Sequence, residues 1–370
     1  MSQRENVNPR REQDHRKNSR RYQKRAAARR RRNTIFIMEI VLLLILAVVL
    51  FFVSKLSKIE KTKLDMDKIE VNEDISQESR KIMKGYQTIA MFGLDNRSNG
   101  NLSQGRSDVI MLANINNDTK EVKLVSVYRD TYLDTGDGIF QKCNAAYAKG
   151  GPEQAISMLN VNLDLNITDY VTVDFNSIIE CVDLLGGVDM EITDDEASLM
   201  TGYIRELNEL TGNKAENLTQ GGTYTLNGVQ ACAYARIRYG GDYRRTERQR
   251  TVLTAMVKKA QQSDLTTVNK LINEVCGDIQ TSFSNAELLA LASQVFQYSI
   301  GDTTGFPFTK TTRVLSKKTG DVVIPCDLSD NVKELHIFLY EDSAYTASDT
   351  VKQNSEKIVS DTGFKSGDGH

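Results

Sequence analysis

Histidine is scarce in this sequence. Three occur in 370 residues, and beyond residue 53 only His336 and the terminal His370 remain. That scarcity argues against Ser-His-Asp and Cys-His nucleophilic machinery and against multi-histidine metal sites. Cysteine offers no substitute. Cys143, Cys181, Cys232, Cys276 and Cys326 are odd in number and widely spaced, and no C-x-x-C occurs. They outline neither a zinc site nor a disulfide framework. Their apolar neighbours read as those of small buried hydrophobes, with one or two disulfides left open outside a membrane. No internal repeat and no composition break divides the long C-terminal part. An enzyme built from what remains would use carboxylates, arginines and a metal ion.

Charge is unevenly distributed. The net charge is −2, but residues 1–33 sum to +10 and everything from Ser54 onward to −11. Between them lies TIFIMEIVLLLILAVVLFFV, residues 34–53, with only Thr34 and Glu39 polar. About 20 apolar residues in a helix span a bilayer core. The Arg-rich flank RAAARRRRN would stay cytoplasmic, which leaves the body extracellular. No small-x-small cleavage site follows Val53, so the span reads as an uncleaved single-pass signal-anchor. Beside such a span the basic tail reads as a topology determinant in contact with lipid, and no nucleic acid is expected. Glu39, near the cytoplasmic end, reads as a tolerated interfacial residue rather than a proton relay.

The organisation expected is a basic tail (1–33), an anchor (34–53), a partly helical stalk (54–85), one α/β domain (86–345) and a disordered tail (346–370). Strands are expected at 87–94, 108–115, 121–128, 169–175, 187–192 and 321–325. Asn116-Asn117-Asp118 supplies a hairpin turn. Helices are expected at 152–163 with Pro152 at N1, at 176–187, at 246–260 with Thr246 and Gln249 as a capping box, and near 264–276 and 284–299. Alternating strands and helices make the body α/β.

Lysine is absent where arginine is dense. ARIRYGGDYRRTERQR, residues 235–250, holds six arginines and no lysine. From Ser54 onward there are 12 Arg against 22 Lys, so half the arginines sit in this stretch. Arg97, Arg106 and Arg129 lie beside predicted strand ends, where α/β folds place ligands. The planar guanidinium binds phosphate oxygens bidentately, whereas an ammonium is a point charge. The pattern therefore suggests a phosphate or diphosphate site, against the plainer reading of a surface ion-pair belt with Asp242 and Glu247. Asp95 and Asp108 end one strand and begin the next. Two such carboxylates are what Mg²⁺ often takes from protein, and they are also ordinary turn residues.

The motifs GLDNRS, GRSDVIMLANIN, VKLVSVYRDTY, KCNAAYAKGGPEQAI, DYVTVDF, VDLLGGVDMEI and LNGVQACAYARIRYGGDYRRTERQR run in order from about residue 86 to 260. Together they resemble the LytR–CpsA–Psr (LCP) family. The resemblance implies a membrane-anchored extracellular domain with a central mixed sheet flanked by helices. It implies a phosphotransferase that moves a glycopolymer from a polyprenyl diphosphate carrier to peptidoglycan through a phosphodiester. In Gram-positive bacteria the polymer is a wall teichoic acid or a capsular or secondary wall polysaccharide. Carried over by motif, Asp95 and Asp108 would bind Mg²⁺, with Mn²⁺ as the alternative. Arg106, Arg129, Arg236, Arg238, Arg245 and Arg248 would bind the diphosphate, with Gln249 and Asp242 beside them. Arg129, Asp130, Asp108 and Arg245 would be catalytic, with Asp108 or Asp130 as base. Arg97, Arg244 and Arg250 are weaker assignments. The family commonly has proline where Tyr128 stands and an aliphatic residue where Cys143 stands, and the Arg238–Asp242 loop is short. Two other readings stand beside this one: a polyprenyl diphosphate pyrophosphatase, and a non-enzymatic membrane-bound regulator. An apolar groove for the lipid is expected between the sheet and the helices at 152–163 and 176–185.

Overall fold

The strand register explains why the central segments read as nearly unbroken apolar runs. In β2 (Tyr86–Leu94) and β3 (Ser107–Asn116) both faces are buried. Such strands must be covered by helices on both sides. The computed structural model describes residues 60–61, 64–94, 102, 105–264, 266–267, 270–271, 279–284, 287–288, 290–291, 294–317 and 319–369. All belong to one unit, Lys58–His370. The expected basic tail and anchor, together with Asp95, Arg97 and Cys276, lie outside the described residues.

A seven-stranded mixed sheet organises the domain. It comprises β1 (Glu60–Lys61), β2, β3, β4 (Glu121–Val127), β7 (Asp169–Asp174), β10 (Ile279–Thr281) and β11 (Ser299–Phe306), in the order β1-β10-β7-β2-β3-β4-β11. β2 runs parallel to β7 and antiparallel to β3, and β4 runs parallel to β11. The expected turn joins β3 to β4, with Asn116 Oδ1 accepting from the Asp118 and Thr119 amides. Three two-stranded ribbons flank the sheet. They pair β5 (Tyr132–Asp134) with β6 (Phe140–Lys142), β8 (Val188–Ile192) with β9 (Gly222–Leu226), and β12 (Lys310–Ser316) with β13 (Gly320–Pro325).

Alternation sorts the core into two sides. Ala90, Phe92, Leu94, Ile110, Leu112, Val125 and Val127 face one buried cluster. That face is covered by α2 (Ala145–Leu163), α7 (Leu328–Tyr340) and α8 (Asp349–Thr362), while α1 (Gln77–Met83) packs near β2. Ile89, Met111, Ala113, Val122 and Leu124 face the other side, beside α3 (Phe175–Leu184), α4 (Asp194–Thr211), α5 (Gly228–Arg236) and α6 (Gly241–Gln262).

Four expectations change. The segment expected as a stalk is part of the domain, since Ile69, Ile75 and Met83 are buried in the main cluster and Asn72 donates to Asp164. The tail expected to be disordered carries α8. Ser348 accepts the Val351 amide as its N-cap, Gly363 closes it at φ 81°, and Val351 and Ile358 are fully buried. α2 starts before Pro152, at Ala145. It breaks at Gly150 and Gly151, the latter at φ 64°, and Pro152 restarts it. α6 starts five residues before Thr246, whose hydroxyl donates to the Tyr243 carbonyl inside the helix instead of capping it. The structure also adds α4, β9, α5 and α7, which the sequence patterning did not indicate. The helix expected near 264–276 falls largely outside the described residues, and the one expected at 284–299 ends early, giving way to a 3₁₀ turn at Val295–Gln297 and to β11 at Ser299. Cys143, Cys181 and Cys326 are free thiols among the described residues, and Cys143, Cys232 and Cys326 are buried.

Candidate functional site

Between the sheet and helices α3 to α6 lies a cavity of 320 Å³. Its floor is the end of the sheet: Met91 and Gly93 from β2, Val109 and Met111 from β3, and Val173 from β7. A Cβ at Gly93 would lie 2.9 Å from Val109 Cβ, so glycine permits the close strand approach there. Helices supply the walls. Phe175 and Ile178 come from α3, Tyr203 from α4, Cys232 and Ala235 from α5, and Val252, Leu253 and Met256 from α6. α2 contributes nothing to this lining, because it packs on the opposite face of the sheet.

The polar groups gather together. Asp108, Arg236, Arg238, Arg245, Gln249 and Glu206 line the same cavity. The phase of α6 selects among its residues. Arg245, Gln249, Val252 and Met256 recur at three- and four-residue spacing and so share one stripe. Arg248 falls on the flank. Its Nε donates to Glu196 Oε1 (3.0 Å) and its Nη1 to the Tyr239 carbonyl (3.1 Å). Arg248 is therefore a brace for the 237–239 loop rather than a wall of the cavity. Arg106 stands exposed just before β3, and Arg244 pairs with Glu247 at the surface; neither lines the cavity. Arg250 is buried on another face of α6.

An ion group joins the cavity to its surroundings. Arg129 Nη1 donates to Asp108 Oδ1 at 2.6 Å, and its Nε lies 3.8 Å from Asp130 and 3.7 Å from Asp242. Arg245 Nη2 lies 3.2 Å from Asp242 Oδ1, and Lys142 Nζ lies 3.0 Å from Asp130. Arg236 donates to Glu206 (3.1 Å) and stacks on Phe175 with 5.1 Å to the ring centre.

Burial and charge pull these groups in different directions. Burial works against the charge of Arg129, but Asp108, Asp130 and Asp242 more than offset it and raise its pKa. Arg245 is driven the other way. Burial lowers its pKa, and the like charges of Arg129 and Arg238 reinforce this against Asp242. Burial raises the Asp242 carboxyl above its usual range, with Asp130 adding to the rise and Arg245 and Arg129 opposing it. Arg129 Nε, Arg236 Nη1, Arg245 Nε and Gln249 Oε1 are buried with no hydrogen-bond partner among the described residues. Of these atoms, Arg236 Nη1 and Arg245 Nε are donors on residues that line the cavity, and buried guanidinium donors ordinarily find acceptors, so an anion is the kind of ligand they suit.

Among the described residues no group of three His, Cys, Asp or Glu side chains is placed to hold a metal ion. Asp108 uses one oxygen on Arg129, and its other oxygen has no hydrogen bond among the described residues. That suits a cation which takes one or two carboxylates and completes its shell with water and phosphate.

Tyr128 stands where the resembled family commonly has proline, and the structure shows what the exchange uses. The Tyr128 amide donates to the Phe306 carbonyl at 3.0 Å, extending the β4–β11 pairing. Its ring lies 4.6 Å from that of Tyr243, and its hydroxyl lies over Gly305, where a Cβ would be 2.2 Å away.

Comparison with known proteins agrees with this architecture. The chain is 30% identical over 210 residues to the polyisoprenyl-teichoic acid–peptidoglycan teichoic acid transferase TagU of Enterococcus faecalis. That match covers 55% of this chain and 64% of TagU, so the chain spans just under two thirds of that relative's length. Bacillus subtilis TagT bound to LI-WTA superposes with a TM-score of 0.57 at 22% identity, over 75% of this chain and 99% of TagT. TagT with bound octaprenyl pyrophosphate lipid gives 0.51 at 22% identity, over 70% and 92%. At these identities the structural likeness carries the fold. The model of the LytR_cpsA_psr family matches residues 46–313, well over half of the sequence, and the chain belongs to that family.

Proposed function

We propose that this protein is a phosphotransferase that attaches a polyprenyl-diphosphate-linked glycopolymer to peptidoglycan through a phosphodiester. The observation that carries this reading is the cavity itself, an apolar chamber ending in buried guanidinium donors without partners. A polyprenyl chain matches the apolar walls and a diphosphate matches the donors. The names of the relatives support the same class, since TagU acts on teichoic acid and TagT holds a polyprenyl pyrophosphate lipid. The polymer class proposed is a wall teichoic acid or a comparable wall or capsular polysaccharide. The proposal includes the membrane anchor at 34–53, with the basic tail cytoplasmic and the domain outside the cell.

In this reading Arg236, Arg238 and Arg245 hold diphosphate oxygens, with Gln249 beside them. Arg129 ties Asp108 to Asp242, keeping the acidic and basic groups in register. Asp108, with Asp95, would hold Mg²⁺ or Mn²⁺, and the ion would neutralise charge on the diphosphate. The remaining work is positioning and charge neutralisation, which dominate phosphoryl transfer. Asp108 is fixed on Arg129, whereas the Asp242–Asp130 pair carries the raised carboxyl. Asp130, which shares Arg129 with Asp242, is the base proposed.

The test uses the full-length chain in detergent, a synthetic polyprenyl-diphosphate oligosaccharide and peptidoglycan fragments, with Mg²⁺ or chelator. Polyprenyl phosphate and a phosphodiester-linked glycan should appear together and vanish with chelator. Polyprenyl phosphate formed without linked product, with water as the acceptor, would replace the transferase by a hydrolase. No turnover with intact lipid binding would favour a regulator.

A further inference from the structure

The cavity accounts for only one side of the ion group. Asp108 and Arg245 line it, but their partners Arg129, Asp130 and Asp242 do not. Beyond Arg129 the contacts lead away from the cavity to a second cluster. Lys142 reaches Asp130, with the two side chains 26% and 20% exposed and so reachable from solvent. Tyr243, next to Asp242, packs its ring against Tyr128. Lys310 Nζ lies 4.8 Å from the centre of the Tyr243 ring and 5.4 Å from that of Tyr128. Lys310 Nζ donates to the Phe308 carbonyl and has no carboxylate partner among the described residues. Burial lowers its pKa, opposed by the charge of Glu334.

Reaction geometry gives this cluster a meaning. In phosphoryl transfer the entering and leaving oxygens lie roughly in line through phosphorus. If the polyprenyl chain occupies the cavity, the leaving polyprenyl phosphate is on the cavity side. The acceptor must then enter from the opposite side, past Arg129. An aromatic ring with a few convergent polar groups is how proteins commonly orient a small polar ligand.

We propose that Tyr243, Lys310, Lys142 and Asp130 form the acceptor subsite, which takes a carboxylate-bearing glycan such as a muramyl peptide unit. This rests on the transferase reading of the preceding section. The sugar face packs on Tyr243, and the ammonium groups of Lys310 and Lys142 meet the carboxylates of the acceptor. Its hydroxyl oxygen forms the new bond to phosphorus. The phosphorus–oxygen bond to polyprenyl phosphate breaks and that oxygen keeps the electron pair. The hydroxyl proton passes to the Asp130–Asp242 pair.

The experiment measures transfer by full-length wild type, Tyr243→Leu and Lys310→Met, using a disaccharide-peptide fragment of peptidoglycan as acceptor. Binding of octaprenyl diphosphate is measured in parallel, and thermal melting checks that each variant folds. Each substitution should raise the acceptor KM about ten-fold, the loss of roughly one good contact. Donor affinity should stay within about two-fold, because neither residue lines the cavity. Tyr243→Phe should restore the acceptor KM, since it keeps the ring. A wild type that forms linked product while both variants keep the wild-type acceptor KM overturns this inference alone. A wild type that forms no linked product overturns the transferase reading and this inference with it. Loss of donor binding in the variants would also overturn it, by assigning the cluster to the donor.

Discussion

Arg245→Met should stabilise the fold and cripple donor binding at once. The side chain is 5% exposed. Burial and the nearby guanidiniums of Arg129 and Arg238 all disfavour its charge, and Asp242 alone among the leading influences clearly favours it beside the weaker Asp108. Replacing a whole buried ion pair by apolar side chains is often neutral or stabilising by about 1–4 kcal/mol, whereas removing one partner usually costs about 3–5 kcal/mol. The usual danger is an abandoned partner. Here Asp242 keeps Arg129 at 3.7 Å and retains 25% side-chain exposure. A net gain of about 1 kcal/mol is expected, equivalent to a Tm higher by about 2 °C for a domain of this size.

The ligand-binding side of the ledger has the opposite sign. Arg245 Nε is a buried donor without a partner. Charge-assisted hydrogen bonds contribute about 1.5–3 kcal/mol each, so losing them should weaken octaprenyl diphosphate binding about 100-fold. The assay is a thermal melt of both proteins with and without the lipid, plus direct titration. Wild type should gain Tm on adding lipid and the variant should gain little. A variant that melts several degrees lower and binds lipid normally would refute the reasoning, because it would make Arg245 a structural ion-pair member.

Val252→Phe should fill part of the cavity and weaken long polyprenyl diphosphates far more than inorganic diphosphate, measured by competition binding; equal effects on both would show that Val252 does not face the lipid chain. Because the Asp242 carboxyl is raised by burial, and further by Asp130, the acid limb of the transfer pH profile should lie above the usual carboxylate value, and Asp130→Asn should move it down. The folded state then holds more protons than the unfolded chain between 3.8 and that raised value, so stability should fall as pH rises through this window, read by denaturant titration. Tyr128→Pro should remove the amide bond to Phe306 and the Tyr243 contact, costing about 2 kcal/mol in chemical denaturation; an unchanged midpoint would separate this site from β11. Ile358→Ala should cost about 2–5 kcal/mol, since the side chain is fully buried in the main core, whereas a loosely attached tail would show no change.

The clustering of arginine at one place was legible because it is written in residue type. Arginine without lysine in 235–250 signals planar anion recognition before any helix is placed, and the structure brings Arg236, Arg238 and Arg245 to one cavity. Which arginines converge was not legible, because it depends on helical phase. Starting α6 at Gly241 rather than Thr246 fixes the stripe of Arg245 and Gln249 and turns Arg248 toward Glu196. The cavity was equally hidden. Phe175, Val252 and Met256 are indistinguishable in sequence from core residues, since an apolar cavity and a core call for the same side chains.

The elements missed divide by cause. α4 and α5 each begin with a full capping box, Thr193 with Glu196 and Asn227 with Gln230, so their starts were present in the sequence as short motifs. The interior of α4 is rich in polar residues and is held by one buried stripe, Ala197, Met200, Ile204 and Leu207, whereas α5 is short and buried on all sides from Gly228 to Tyr234, so neither shows a long amphipathic pattern. α8 is a different case. Its composition is that of a solvated tail, and only Val351, Ile358 and the small polar faces of Asn354, Ser355 and Thr362 are buried. What orders it is distant in sequence. Asp164, at the αL end of α2, accepts from Asn72, Tyr345 and the Ser348 amide, joining the start of the domain, its centre and the α8 cap. A network that depends on three segments nearly 280 residues apart leaves no local pattern, which is why composition pointed to disorder where long-range hydrogen bonds made a helix.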